Sequence, residues 1–273
     1  MKEHIADADF QDIVNIVKLQ YGYDFTGYVH ASLKRRMLRF MGRANITTVF
    51  DLKHELVNDS DLFTRMVQYI TVNVTEMFRD PVFYRTLREE VLPKLAAYPN
   101  IKIWHAGCST GEEAYSMAIL LHEAGLLGRT KLYASDLNPM NLERAEMGIL
   151  PLENMKDYTY NYIQSGGLAD FSNYYTARYD NVLIKKELRK HINFFQHNLV
   201  TDTVFNEFQL ICCRNVFIYF NRDLQNHVLQ LFYDSLSPRG YLAMGIKESI
   251  RFADIHTRFE TVHGQHKIYR RKS

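Results

Sequence analysis

Two adjacent acids behind a glycine turn are the chain's most informative chemistry. Gly107-Cys108-Ser109-Thr110-Gly111-Glu112-Glu113 follows the apolar run of Ile101, Ile103 and Trp104. The glycines bracket a tight loop, and Ser109 or Thr110 is placed to cap a helix beginning near Gly111. Strand, glycine loop and helix open a doubly wound α/β sheet, in which ligands sit at the carboxyl ends of strands. A dinucleotide site would need a third glycine and a helix N-terminus open to pyrophosphate. Glu112 and Glu113 would repel pyrophosphate but suit a ligand with hydroxyls and positive charge. S-adenosylmethionine has a ribose, a sulfonium and an ammonium, and no phosphate, so the turn points to it rather than to NAD. The same residues would also serve a plain strand-to-helix join, since the macrodipole alone favours Glu in a first helical turn.

A second strand, residues 131–136, ends in Asp136, where such folds bind ribose hydroxyls. Asn138 is placed to cap the next helix, which Pro139 opens; helix capping is the competing explanation of Asp136. A third strand, 192–199, has a polar end at Asn198. A fourth, 208–213, is continuously apolar and therefore central. It runs into Arg214-Asn215-Val216-Phe217-Ile218-Tyr219-Phe220, after which Asn221 caps a helix to about residue 236. A turn at Ser237-Pro238-Arg239-Gly240 leads to a fifth strand, and two last strands flank Gly264-Gln265. His263 and His266 there fit a hairpin better than a metal, because no third ligand has suitable spacing.

The region ahead of this half reads as helices across residues 8–98. Phe10, Ile13, Val14 and Val17 recur at helical spacing, and Gly22 ends their segment. A second helix starts with Ser32 as cap and buries Leu33, Met37, Phe40 and Met41. Arg35, Arg36, Arg39 and Arg43 gather on its other side within about a 100° arc. This one-signed stripe suits an acidic partner, or else is a solvated face. Further helices fall near residues 49–57 and 62–70. In the segment Thr71-Val72-Asn73-Val74-Thr75-Glu76-Met77-Phe78-Arg79, Thr75 would cap a helix start. Residues 156–190 interrupt the α/β alternation with many tyrosines and a Val182-Leu183-Ile184 run. They read as a small insertion, partly a β-hairpin, whose aromatics serve packing or a peptide-binding edge.

Lys+Arg 33 against Asp+Glu 31 leaves no global field to attract nucleic acid. Cys108, Cys212 and Cys213 fall in or beside strands, which fits buried thiols in a reducing cytoplasm rather than a disulfide framework. Neither a signal peptide nor a membrane-spanning run is apparent. A cytoplasmic protein is therefore expected.

Three motifs in order, Asn73-Val74-Thr75-Glu76-Met77-Phe78-Arg79, Cys108-Ser109-Thr110-Gly111-Glu112-Glu113 and Cys213-Arg214-Asn215-Val216-Phe217-Ile218-Tyr219-Phe220, resemble the CheR family of chemotaxis receptor glutamate O-methyltransferases. The resemblance covers essentially the whole chain. It implies an α/β class I (Rossmann-like) methyltransferase sheet over residues 81–273, a helical receptor-docking domain over 1–80, and the small β insertion at about 156–190. It implies cofactor contacts from Asn73, Thr75, Arg79, Gly107, Glu113, Asp136, Asn198, Leu199, Asn215 and Val216, and no metal. Met77 stands where the family commonly has Phe, and Ala114 where it commonly has Pro; neither departure removes a polar ligand.

The expected reaction moves a methyl group from the sulfonium to a glutamate carboxylate. That nucleophile is already ionised at neutral pH, so no general base is required. Arg79 is the candidate grip on the substrate carboxylate, and Tyr219 the candidate second donor. The expected partner is the helical cytoplasmic part of a membrane chemoreceptor, met by Arg35, Arg36, Arg39 and Arg43, with a receptor tail as a further partner for the insertion. An RNA or small-molecule methyltransferase, or a non-catalytic cofactor-binding signalling module, would share the same cofactor domain.

Overall fold

The computed structural model describes residues 4–71 and 75–273. It divides into two compact units, Met1–Asn73 with Tyr219–His227, and Val74–Ile218 with Val228–Ser273.

The first unit contains helices α1 (Asp7–Tyr21), α2 (His30–Ala44), α3 (Val49–Asn58) and α4 (Ser60–Ile70). Their apolar faces, including Phe10, Met37, Leu56 and Met66, are buried together. Gly22 closes α1 in the left-handed region at φ 75°. Asp59 starts α4 by accepting from the amides of Asp61 and Leu62. Helix α2 begins at His30, with Val29 as an extended N-cap that makes no side-chain bond, so Ser32 lies inside the helix and does not cap it. Position 29 starts the helix for a tertiary reason. Its amide donates to the Tyr219 carbonyl (2.9 Å), the Asn221 amide donates to the Gly27 carbonyl (2.8 Å), and Tyr28 bridges Phe220. The segment Tyr219–His227 therefore packs with the first unit although it lies far along the chain.

In the second unit, α5 (Pro81–Thr86), a π-turn over Leu87–Val91 and α6 (Leu92–Leu95) precede the sheet. Thr75 starts no helix; the first one begins at Pro81 behind Asp80, whose φ of 59° is left-handed. Next come β1 (Ile101–Ala106), α7 (Glu112–Glu123), β2 (Thr130–Asp136), α8 (Pro139–Met147), β3 (Ile149–Pro151), α9 (Met155–Gln164), β4 (Tyr175–Arg178), β5 (Asn181–Ile184), α10 (Lys186–Arg189), β6 (Ile192–Gln196), β7 (Phe208–Cys213), α11 (Arg222–Ser235, of which the residues to His227 fall in the first unit), β8 (Leu236–Met244), β9 (Phe259–His263) and β10 (Ile268–Arg271). The main sheet runs β6-β2-β1-β7-β8-β10-β9. It is parallel from β6 to β8, and β10 is antiparallel to both its neighbours. This is the class I methyltransferase arrangement. The turn at Ser237–Gly240 does not precede the fifth strand but is absorbed into β8 as an irregularity in its pairing with β7.

Strands β4 and β5 of the insertion join β3, which lies just ahead of it, in a separate antiparallel sheet, β3-β5-β4. The helix α9 opens the insertion, and the antiparallel pair β4–β5 follows as its hairpin. Tyr158, Tyr162 and Tyr174 are buried, and the hydroxyls of Tyr162 and Tyr174 both donate to Glu123, so these tyrosines pack the core. Tyr160 and Tyr179 are exposed.

Candidate active site

The parallel order brings the ends of β1, β2 and β7 side by side. Trp104, wholly buried on β1, ties that strand to β2 through an Nε1–H bond to Ser135 Oγ (2.8 Å). The amides of Gly107 and Cys108 both donate to the Ser135 carbonyl (2.8 and 2.9 Å), which turns the chain sharply after β1. Gly107 has φ 77°, and a Cβ there would stand 2.5 Å from Val216 Cγ2. Both the conformation and the neighbour require glycine. Helix α7 takes Gly111 as its N-cap, with no side-chain bond, so neither Ser109 nor Thr110 caps it. Thr110 Oγ1 instead donates to Glu112 (2.7 Å), which is buried, and burial pushes the Glu112 carboxyl up.

Asp136 is half-buried at the end of β2. Its Oδ2 accepts from the Ser109 amide (2.8 Å), and its Oδ1 from the Asn138 amide (2.9 Å). Burial pushes its carboxyl up, against those amides, which draw it down. Asn138 caps α8 by accepting from the Met140 amide (3.0 Å). Asn141 Nδ2 also donates to Oδ1 (3.4 Å), so of the about four lone-pair sites of a carboxylate three are engaged and capacity remains for a further donor.

Glu113 faces a cationic network. Its Oε1 lies 2.9 Å from His105 Nδ1, and its Oε2 accepts from Arg214 Nη1 at 3.1 Å. Burial pushes its carboxyl up, but the His105 bond and the Arg214 charge prevail and hold it below the usual carboxylate range. Arg214, with a side chain only 1% exposed, also donates through Nη2 to Asp80 (2.7 Å) and to the Arg79 carbonyl (3.0 Å). Its guanidinium lies 4.0 Å from the Phe83 ring centroid.

Arg79 is thereby held by its backbone. Its neighbours Phe78 and Asp80 are both left-handed, at φ 53° and 59°. The Phe78 amide donates to Ser116 Oγ (2.9 Å), and Asn161 donates to the Met77 carbonyl (3.2 Å). A bulky residue in this region is strained, and such strain persists only where the surroundings over-determine it.

The remaining expected residues are distributed as follows. Thr75 is half-buried, and Asn73 lies outside the described residues. Asn198 Oδ1 accepts from the Val200 amide (3.0 Å), while its own amide donates to Asp202 (2.8 Å); Leu199 is buried. Asn215 has φ 63°, and its amide donates to the buried Glu248 (3.1 Å), which also takes the Gly245 amide (2.7 Å). Glu248 so sets the Asn215–Val216 turn. Tyr219 belongs to the first unit, where the Arg36 guanidinium stands 4.5 Å from its ring centroid. Arg36 also donates to the Ile70 carbonyl (2.7 Å) and is half-buried, whereas Arg35, Arg39 and Arg43 are exposed.

Sequence reading overlooked His105, Asp80, Glu248 and, above all, Arg214. The signal for Arg214 was present: a charge directly following six buried strand residues must be paired or solvated. Its partners come from distant segments and no spacing names them. Among the described residues, His105, Glu113 and Cys212 form one group whose ligand atoms lie within 4.8 Å of one another. In it Glu113 is already paired with Arg214, and burial pushes the Cys212 thiol well up.

A family model described as the SAM binding domain of CheR methyltransferase matches residues 73–268. Another, the CheR methyltransferase all-alpha domain, matches residues 8–71. The chain belongs to the CheR methyltransferase family. A Pseudomonas putida protein named as a methyltransferase, Cher3, is 46% identical over 269 residues, which cover 98% of each chain. The chemotaxis protein methyltransferase of Listeria innocua is 32% identical over 246 residues, covering 89% of this chain and 91% of its own. That of Escherichia coli is 30% identical over 273 residues, covering 96% and 90%.

The CheR SAM-binding domain of this chain suits its cofactor in charge. Acids gather at the carboxyl ends of β1 and β2, and the buried Arg214 beside them is already paired. Ser109 Oγ is buried within the turn with no partner among the described residues. Among the described residues no helix is long and apolar enough to cross a membrane.

Proposed function

We propose that this protein methylates glutamate carboxylates of membrane chemoreceptors, using S-adenosylmethionine, in chemotactic adaptation. The observation that carries the reading is the link made by Arg214, which joins the turn bearing Arg79 to Glu113 behind the glycine turn. The names of the relatives, chemotaxis protein methyltransferase, support the biological setting.

When bound, the cofactor supplies a methyl group on a positively charged sulfur. In this reading Asp136 takes the ribose hydroxyls, and Glu113 lends negative potential to the charged end. Gly107 and Val216 are the proposed surface on which the ligand lies, Thr75, Asn198, Leu199 and Asn215 are proposed to line it, and Asn73, outside the described residues, is a further proposed contact. The Arg79 fork grips one oxygen of the substrate glutamate while the other attacks. Tyr219 is the proposed second donor to that carboxylate. Positioning is the main contribution, since the nucleophile needs no deprotonation. Arg35, Arg39 and Arg43 are the proposed exposed contacts to an acidic receptor helix, and β4, at the end of the small sheet, is the proposed seat for a receptor tail.

Radiolabelled methyl transfer to bacterial receptor membranes tests the reading. Base-labile counts, lost when Arg79→Ala replaces the wild type at an unchanged melting midpoint, are expected. Base-stable counts, or cofactor binding without transfer to any receptor, would overturn it.

A further inference from the structure

A second cleft lies at the opposite end of the parallel strands from Asp136. It has a volume of about 750 Å³ and is lined at the starts of β1, β2 and β6, by Lys102, Arg129, Lys131, Lys190, His191 and Asn193 among others. The whole chain is nearly neutral, yet this lining carries four Lys or Arg and, among the described residues, no Asp or Glu. The parallel register sets Lys102 beside Lys131. Like charges so placed repel each other, and the arrangement is stabilised by whatever anion lies between them.

Among the described residues none of these four cations forms an ion pair. Lys102 donates to the neutral Asn206 side chain (2.7 Å), and Arg129 donates to the carbonyls of Tyr98 and Ala96 (3.2 and 2.9 Å). Those bonds orient the two side chains and leave their charge uncompensated. Burial, and then the Lys190 charge, hold the His191 ring below its ordinary range.

We propose that this cleft binds a nucleoside polyphosphate. A single phosphate monoester carries about −1.5 to −2, too little to match four cations, so a chain of linked phosphates is needed. The volume lies in the upper part of the range for small-molecule sites and leaves room for a nucleoside beside the phosphates. Asn193 and His191 supply polar groups for it. The cleft is remote from the methyl-donor site: β2 spans about 20 Å from Thr130 to Asp136, at about 3.3 Å per residue. The proposal therefore stands independently of the methyl-transfer reading.

Calorimetry at low salt with tripolyphosphate and with ATP is the test, alongside S-adenosylhomocysteine as reporter of the other site. Both phosphates should bind saturably at one per chain, ATP more tightly. Lys131→Gln with Lys190→Gln, both exposed in the native chain, should weaken them at least tenfold while S-adenosylhomocysteine affinity stays within about twofold. No saturable binding, unchanged affinity in the double variant, or competition with S-adenosylhomocysteine would each overturn the proposal. So would sulfate displacing ATP at matched ionic strength, which would reduce the cleft to a diffuse field. ATP binding no tighter than tripolyphosphate would overturn the nucleoside part.

Discussion

Replacing Arg214 with Met keeps the length of the side chain and removes every donor. Three interactions go at once: the bonds to Glu113, to Asp80 and to the Arg79 carbonyl. The cation above the Phe83 ring is lost as well. Removing one member of a buried ion pair costs about 3–5 kcal/mol, because the partner charge is left uncompensated. That is a large part of a total stability of about 5–15 kcal/mol. At a slope of about 3 kcal/mol/M, the urea midpoint should fall by about 1–1.7 M. If the cost arises from stranding Glu113, adding Glu113→Gln to Arg214→Met should be milder than the sum of the single changes by about 1–3 kcal/mol. Urea unfolding followed by circular dichroism measures both quantities, and calorimetry with S-adenosylhomocysteine reads the site. A midpoint shift below about 0.3 M in Arg214→Met, or additivity of the two changes within about 0.5 kcal/mol, would refute the claim that one buried cation organises this site.

Gly107→Ala should lower cofactor affinity at least tenfold by calorimetry, since its Cβ meets Val216 Cγ2 at 2.5 Å and its φ is 77°. Adding Val216→Ala should recover only part, because it relieves the overlap and not the left-handed strain, about 1–2 kcal/mol. Acid titration of stability should have two limbs. Burial raises the carboxyls of Glu112, Asp136 and Glu248, so the folded state holds protons more tightly there and stability rises as pH falls through their values. Glu113 is held low instead, so its contribution is lost as pH drops below about 4.3, the ordinary Glu value, toward its folded one; a monotonic fall from pH 7 would contradict this assignment. Arg35→Glu with Arg39→Glu, both exposed, should slow receptor methylation at low salt while leaving the melting midpoint unchanged. Arg36→Ala should cost about 2 kcal/mol of stability instead, since it removes a charged bond to the Ile70 carbonyl and the stack on Tyr219.

The local signals were legible where a residue's own chemistry decides its conformation. Gly22 ends α1, Asn138 and Pro139 start α8, and the unbroken apolar run 208–213 lies in the middle of the parallel sheet, each for a reason contained in a few neighbouring residues. Helix starts failed where tertiary contacts outweighed the local cap. Val29 begins α2 because the chain around Tyr219 holds its amide, and Asp80 precedes α5 in a strained turn gripped by Arg214.

The sequence by itself determined the family and the class I sheet. Glycine spacing, paired acids and strand-end carboxylates are written in consecutive residues, because each serves a turn or a strand end beside it. Only the tertiary structure decided how those residues are employed. Glu113 proved to be bound to His105 and Arg214, and Arg36 turned inward while its stripe-mates stayed exposed. The insertion tyrosines split between core and surface in the same way. The physical reason is shared: a buried charge or hydroxyl must find its partner wherever the fold brings one, and partners 101 residues apart, as Arg214 and Glu113 are, leave no periodicity to read.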